Sequence, residues 1–289
     1  MLIKRRSSGA VLALVVGVAV LVPVQAAHAA TTPYRGSIVS WNMSGWTQHK
    51  GAVRPADVLA ANVLKRAPLP TAIVVNEMCS TQYDQLVAKL GPSLTNTTPG
   101  YKSVPNWSLP NFSQPGCPKF GNAVFYLGDK DPSPYLRTYT AQASSDPFSE
   151  QRNLICVAFS TVATSTEAAT PLRICGTHLH PTDSLAALQL GEARKVVGDY
   201  NAGTTATLLA GDLNMAPGLA AFDDWYNGGY TEADLSGRTR PRATTTSNVK
   251  LDFGFVPTAK ATVSTTAKIE MQYFVSDHAI FTTYFALKN

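Results

Sequence analysis

Cysteine is scarce, at four residues, and no two of them stand in a C-x-x-C pair. A cysteine-built zinc site therefore lacks its usual spacing. No stretch reads as an internal repeat. No linker-like segment divides the chain. The one sizeable apolar run, from Ala10 to Val22, is short for a membrane span, and no stop-transfer pattern follows it. A large excess of one charge is missing as well. The chain has 24 Lys and Arg against 19 Asp and Glu, and three of the basic residues precede residue 30. The remainder carries 21 basic and 19 acidic residues, a net charge of +2, so any contact with nucleic acid must come from local clusters.

The apolar run belongs to a leader. Lys4-Arg5-Arg6 is a basic n-region, Ala10 to Val22 an apolar h-region, and Ala27-His28-Ala29 a small-residue cleavage site. We expect a secretory signal peptide over residues 1–30 and a secreted single domain over 31–289. Export agrees with an even cysteine count, which suggests two disulfides. Leu154 to Ser160 and Leu172 to Thr177 read as strands joined by the polar stretch Ala163 to Thr170. That hairpin places Cys156 near Cys175 and leaves Cys79 for Cys117.

The chain is organised around Ala210-Gly211-Asp212-Leu213-Asn214. It follows Thr205 to Leu209, an apolar run that reads as a buried strand, and precedes a helical pattern from Leu219. Alternation along the strand is expected to point Asp212 and Asn214 the same way. Further strands are read at Gly36 to Asn42, Thr71 to Val75, Ala123 to Leu127, Lys250 to Val256, Ala261 to Thr266 and His278 to Ala286. Helices are read at Pro55 to Ala67, at Ser80 to Leu90 with Ser80 as N-cap, and at Asp183 to Tyr200. Gly91 to Pro118, with six prolines, reads as a long surface segment without regular structure. Its Trp107 and Phe112 are read as packing under a disulfide, with a base-stacking platform or a lipid-facing lip as alternatives. The elements together predict one α/β domain with mixed sheets and outer helices.

Polar residues recur where these strands end: Asn42, Glu77, His178, Asp212, Asn214, Asp277 and His278. Asp252 lies inside the apolar run Leu251 to Val256, where a carboxylate is costly unless paired. Singly, each residue has an ordinary explanation as a turn, a surface charge or a core histidine. Their joint occurrence at strand ends points instead to a site able to hold a metal, a water or a phosphate oxygen. Arg238, Arg240 and Arg242 alternate in a polar loop and, if extended, would share one side as a phosphate-backbone contact.

The ordered set Ser40-Trp41-Asn42, Asn76-Glu77, Gly121-Asn122-Ala123, Thr177-His178-Leu179, Gly211-Asp212-Leu213-Asn214, Leu251-Asp252-Phe253 and Ser276-Asp277-His278 resembles the endonuclease/exonuclease/phosphatase superfamily. These are the DNase I-like, metal-dependent phosphoesterases. The resemblance implies an α/β (α+β) four-layer sandwich of two mixed β-sheets flanked by helices, with the active site where strand ends converge. It implies Mg²⁺, with Mn²⁺ or Ca²⁺ as alternatives, held by Glu77, Asn42 and Asp277. It makes His278 a general base or acid oriented by Asp252. Asp212 and Asn214 would position the attacking water and the scissile phosphate. His178 would donate to a phosphate oxygen or protonate the leaving group. Arg152 would contact phosphate, and Asn122 would join it. Tyr126 is one candidate for the phosphate-binding tyrosine of some members. The substrate implied is a phosphodiester, with DNA and a nuclease activity first. A sphingomyelinase-like phospholipase acting at a lipid surface, or a phosphatase, comes second. A non-catalytic binding module is the reading from another class. No obligate protein partner is implied.

Overall fold

A computed structural model describes residues 32–91, 100–109, 114–130, 134–142, 150–162, 167–235 and 238–288. The expected leader, Phe112 and the middle of the polar hairpin stretch lie outside the described residues. In chain order the elements are β1 (Arg35–Asn42), α1 (Arg54–Leu64), β2 (Ala72–Cys79), α2 (Ser80–Leu90), β3 (Lys102–Leu109), β4 (Phe120–Tyr126), β5 (Gly128–Lys130), β6 (Tyr135–Thr138), β7 (Asn153–Thr161), β8 (Pro171–His178), α3 (Asp183–Ala202), β9 (Ala206–Asp212), α4 (Asp223–Asn227), β10 (Tyr230–Glu232), β11 (Asp252–Pro257), β12 (Ala261–Met271) and β13 (Ala279–Leu287).

The strands form two mixed sheets. One has the order β12-β13-β1-β2-β4-β3 and the other β10-β11-β9-β8-β7-β5, with β6 also paired to β7. β1–β2 and β8–β9 are parallel, while their other neighbours are antiparallel. The inner strands are apolar on both faces because both faces are covered. Ile38, Val74 and Val124 of the first sheet meet Ile155, Ile174 and Leu208 of the second. The opposite face of the first sheet, with Trp41, Ile73 and Phe125, packs under Leu59, Val63 and Leu86 of α1 and α2. The opposite face of the second, with Leu154, Leu209 and Phe253, packs under Leu190 and Val197 of α3 and Trp225 of α4. This is the expected four-layer sandwich.

Several local expectations change. The proline-rich segment contains β3, an edge strand that tolerates Pro105 because an edge leaves one row of backbone groups unpaired. Trp107 on that strand stands edge-on to Tyr83 at 5.7 Å and packs with the α2 layer. Cys79, not Ser80, is the N-cap of α2, and the Gln82 side chain returns to the Cys79 backbone N–H at 2.9 Å. The helical pattern from Leu219 yields only a 3-10 turn, Ala220–Phe222, and the short α4.

Both disulfides join the expected partners, Cys79–Cys117 and Cys156–Cys175. Cys156 and Cys175 are directly opposite each other in the β7–β8 ladder. Their bond closes a loop of sequence separation 19 and lies in the layer under α3. Changing both to alanine should lower unfolding free energy by about 3 kcal/mol in the chain-entropy model. Denaturant unfolding at constant slope measures the loss. An unchanged midpoint would contradict it.

Candidate active site

The polar residues fall into two rows, one on each sheet. On the second sheet, Asn153, His178, Asp212 and Asp252 are successive register partners across β7, β8, β9 and β11. On the first sheet, His278 precedes β13, Asn42 ends β1 opposite Asn76 of β2, and Asn122 stands on β4. The rows meet in matching order. His278 Nδ1 lies 3.0 Å from Asp252 Oδ2. Asn42 Nδ2 donates to Asp212 Oδ2 at 2.9 Å. Asn76 Oδ1 accepts the Asp212 backbone N–H at 3.1 Å. Asn122 Nδ2 donates to Asn153 Oδ1 at 3.3 Å.

Local backbone aims the key groups. Gly211 has φ +146°, and a Cβ there would stand 2.0 Å from the Thr177 carbonyl oxygen. Only glycine lets β9 pass so close to β8 just before Asp212. Glu77 has φ +50° inside β2, where the pairing with β4 slips between Val75 and Met78. That bulge carries Glu77 out of the alternation and re-aims its side chain. Asn214 lies beyond β9 with φ +51°, so strand alternation does not govern it. Its Nδ2 reaches Leu179 O at 2.9 Å and His178 Nε2 at 3.0 Å, while its backbone N–H donates to Asp212 Oδ1 at 2.9 Å.

Asp212 Oδ2 sits 3.6 Å from Nε2 of both His178 and His278. Their surroundings push the two rings in opposite directions. Burial opposes the charge of His278, but Asp252 and then Asp212 outweigh it and raise the group above its ordinary value. Burial, then Arg152 and His278, hold His178 well below its ordinary value. Of the two roles expected for His178, leaving-group protonation needs the cationic ring that this environment opposes. Burial raises Asp212, with Asp252 adding to the shift and His278 opposing it.

Glu77 is the open acid of the group, its side chain 22% exposed against 1% for Asp212 and 0% for Asp252. Burial raises its pKa, against the pull of Asn42, Arg152 and His278. Asn42 Nδ2 lies 3.1 Å from its Oε1. Asp277, partly exposed, accepts Ser44 Oγ–H at 2.6 Å and lies close enough to raise Glu77 further. Glu77 and Asp277 offer carboxylate oxygens, which suit a hard divalent cation. Asn42 instead turns its Nδ2 to Glu77 and Asp212, and its Oδ1 accepts the Ser44 backbone N–H, so its amide would have to turn over to become a ligand. Asp212, Asp252 and His278 also bring one ligand atom each within 4.8 Å of one another. That trio is buried, and Asp252 and His278 are already hydrogen-bonded to each other, so the more open Glu77 side is easier for a cation to reach.

The remaining expected residues stand further back. Arg152 is buried, pairs with Glu150 at 2.9 Å and places Nη1 2.7 Å from His178 Nδ1, while its Nε has no hydrogen-bond partner. Asn122 is buried and its amide is taken by Asn76, Ser108 and Asn153. It braces Asn76 behind the site instead of reaching the cleft. Tyr126 is packed in the core against Phe159. Asn76, Ser44 and Ser276 were not anticipated as site residues. Ser276 joins the rows' ends by donating to Asn42 O at 2.7 Å and accepting the His278 backbone N–H at 3.0 Å.

The three arginines do not share an extended face. Residues 238–240 form turns and a bend. Arg238 pairs with Asp223. Arg242 Nε donates to the fully buried Asp234 at 2.9 Å, and its Nη2 donates to Ala267 O at 2.7 Å. Arg242→Ala should therefore act on stability, by about 1–3 kcal/mol for a buried acceptor left short of a donor. Thermal unfolding measures it. An unchanged midpoint with weakened DNA binding would instead restore the phosphate-contact reading.

No protein-family model matches the sequence, and no curated protein is significantly similar to it. Solved structures do match. An endonuclease/exonuclease/phosphatase from Beutenbergia cavernae is similar at a TM-score of 0.67 and 16% identity, over 88% of this chain and 72% of that one. A Bacteroides vulgatus endonuclease/exonuclease/phosphatase is similar at 0.64 and 14%, over 88% and 100%. D. rerio TDP2, complexed with a single strand DNA product, is similar at 0.59 and 17%, over 87% and 98%. The chain has the DNase I-like fold of these endonuclease/exonuclease/phosphatase structures.

Proposed function

We propose that the chain is an exported, divalent-metal-dependent phosphodiesterase, with Mg²⁺ as its first cation and DNA as its first substrate. One observation carries this reading: the His278–Asp252 pair and Asp212 meet across the two sheets, beside an open Glu77. A binding module has no need of that buried pair. The shared fold with TDP2, solved with a DNA product, supports nucleic acid over lipid. Two disulfides among the described residues support export.

Glu77, Asn42 and Asp277 would hold the cation. When bound, it would polarise a phosphoryl oxygen and offset developing charge. Asp252 fixes the tautomer of His278 through Nδ1 and leaves Nε2 toward Asp212 and the cleft. His278 Nε2 then exchanges a proton with the reacting oxygen. Asp212 and Asn214 would set the attacking water against the phosphate. Arg152, behind His178, would add positive charge where the phosphate lies.

The test is hydrolysis of plasmid DNA, sphingomyelin vesicles and a simple phosphate monoester, each with Mg²⁺, Mn²⁺ or Ca²⁺ and each with EDTA. DNA cleavage abolished by EDTA is the expected result. Sphingomyelin or monoester turnover without DNA cleavage would move the substrate class, and no turnover of any substrate would contradict the reading.

A further inference from the structure

The turn between β12 and β13 stands out from the rest of the surface. Phe274 is 91% exposed and Tyr273 62% exposed, the two most exposed large apolar residues among those described. Phe274 also has φ +72°, a conformation that a bulky residue rarely adopts. Such outliers persist only when surrounding structure over-determines them, and they cluster at functional sites.

The turn is held firmly. Val275 and Ser276 donate their backbone N–H groups to Gln272 O at 2.9 and 3.1 Å. The His49 ring is hydrogen-bonded to the Val275 carbonyl. Val275 itself is buried with Trp41 and Ile280, and Ser276 is tied to Asn42. Phe274 is thus an exposed ring on an anchored support, three residues before Asp277 and four before His278. The loop that supplies His49 also carries Lys50, whose ammonium lies 4.7 Å from the Trp46 ring. Ser44 at the start of that loop donates to Asp277.

We propose that Tyr273 and Phe274 form a stacking step for an unpaired nucleobase at the mouth of the site, and so favour single-stranded nucleic acid. This rests on the nuclease reading above. A rigidly presented aromatic needs little ordering when it stacks on a base, and a neighbouring lysine suits the strand's phosphates. A lipid surface is the weaker occupant. The turn offers two rings flanked by Gln272, Ser276 and Asp277, not a broad apolar face.

The experiment compares one single-stranded oligonucleotide with its abasic counterpart of equal phosphate number, for wild type, Phe274→Ala and Phe274→Trp. Wild type should prefer the base-bearing strand. Loss of one base–aromatic stack should lower that preference, as kcat/KM, about 5- to 150-fold in Phe274→Ala. Phe274→Trp should restore it. Equal preference in wild type and Phe274→Ala would overturn the stacking step while leaving the nuclease reading intact. Failure of wild type to cleave either strand would instead overturn the nuclease reading on which the step rests. Binding of wild type to phosphatidylcholine–sphingomyelin vesicles that Phe274→Ala abolishes would also overturn it, in favour of a lipid contact.

Discussion

His278→Ala is expected to lower the turnover of folded protein by about 10²–10⁴-fold. That range is the usual worth of proton transfer by a positioned side chain. Stability should fall as well, because the ring is the hydrogen-bond partner of the fully buried Asp252 carboxylate at 3.0 Å. The backbone N–H and C=O of residue 278 are nonetheless held independently by Ser276 and Trp41. Asp252→Asn should cost a comparable amount for a different reason. An amide at this position can present its N–H to Nδ1 and so favour the wrong tautomer. Asp252 is fully buried and its Oδ1 has no hydrogen-bond partner, so the asparagine variant adds no lost contact at that atom. Circular dichroism and a Mg²⁺ titration on both variants separate a chemical defect from a folding or metal defect. Near-normal turnover in Asp252→Asn would remove the orienting role.

Glu77→Gln is expected to fail in another way. The substitution keeps the shape of the side chain and removes the open carboxylate of the cleft. Loss of outer-shell partners typically costs a metal site about 10–100-fold in affinity, and a direct carboxylate ligand should cost at least that much. Turnover at low Mg²⁺ should fall accordingly and recover in part at high Mg²⁺. Isothermal titration with Mg²⁺ alone gives an activity-free readout. Equal Mg²⁺ affinity in wild type and Glu77→Gln would place the cation elsewhere, with the buried Asp212, Asp252 and His278 the next candidate. Because Glu77 occupies a positive-φ position, the variant keeps its backbone strain, and stability should change little.

The sequence made the strand ends legible because strand side chains alternate and polar residues there break an apolar run. Asn42, His178, Asp212 and Asp252 all stand at such breaks. What the sequence could not supply was register. Asp212 and Asp252 are directly paired across β9 and β11, and Asp212 and His178 across β9 and β8, through contacts 40 and 34 residues apart that no local pattern encodes. The bulge at Glu77 was hidden for the same reason, since Asn76 and Glu77 read simply as the end of a strand. Asn76 went unassigned because an asparagine between valines and a glutamate carries no periodic signal. Its role emerges only when the second sheet delivers the Asp212 N–H to it. β3 was missed because proline composition outweighed the apolar residues that pack it against β4. The arginine loop misled in the opposite direction. Alternation matters only in an extended segment, and residues 238–240 turn, sending Arg242 back to the buried Asp234.

The central claim is that His278 and Asp252 act as one unit on a phosphodiester. A double-mutant cycle on single-turnover cleavage of DNA in saturating Mg²⁺ tests it most directly, with His278→Ala, Asp252→Asn and the pair. If Asp252 works only through the His278 ring, the double variant is little worse than His278→Ala alone. Single losses that multiply in the double variant would show two independent contributions and contradict the claim.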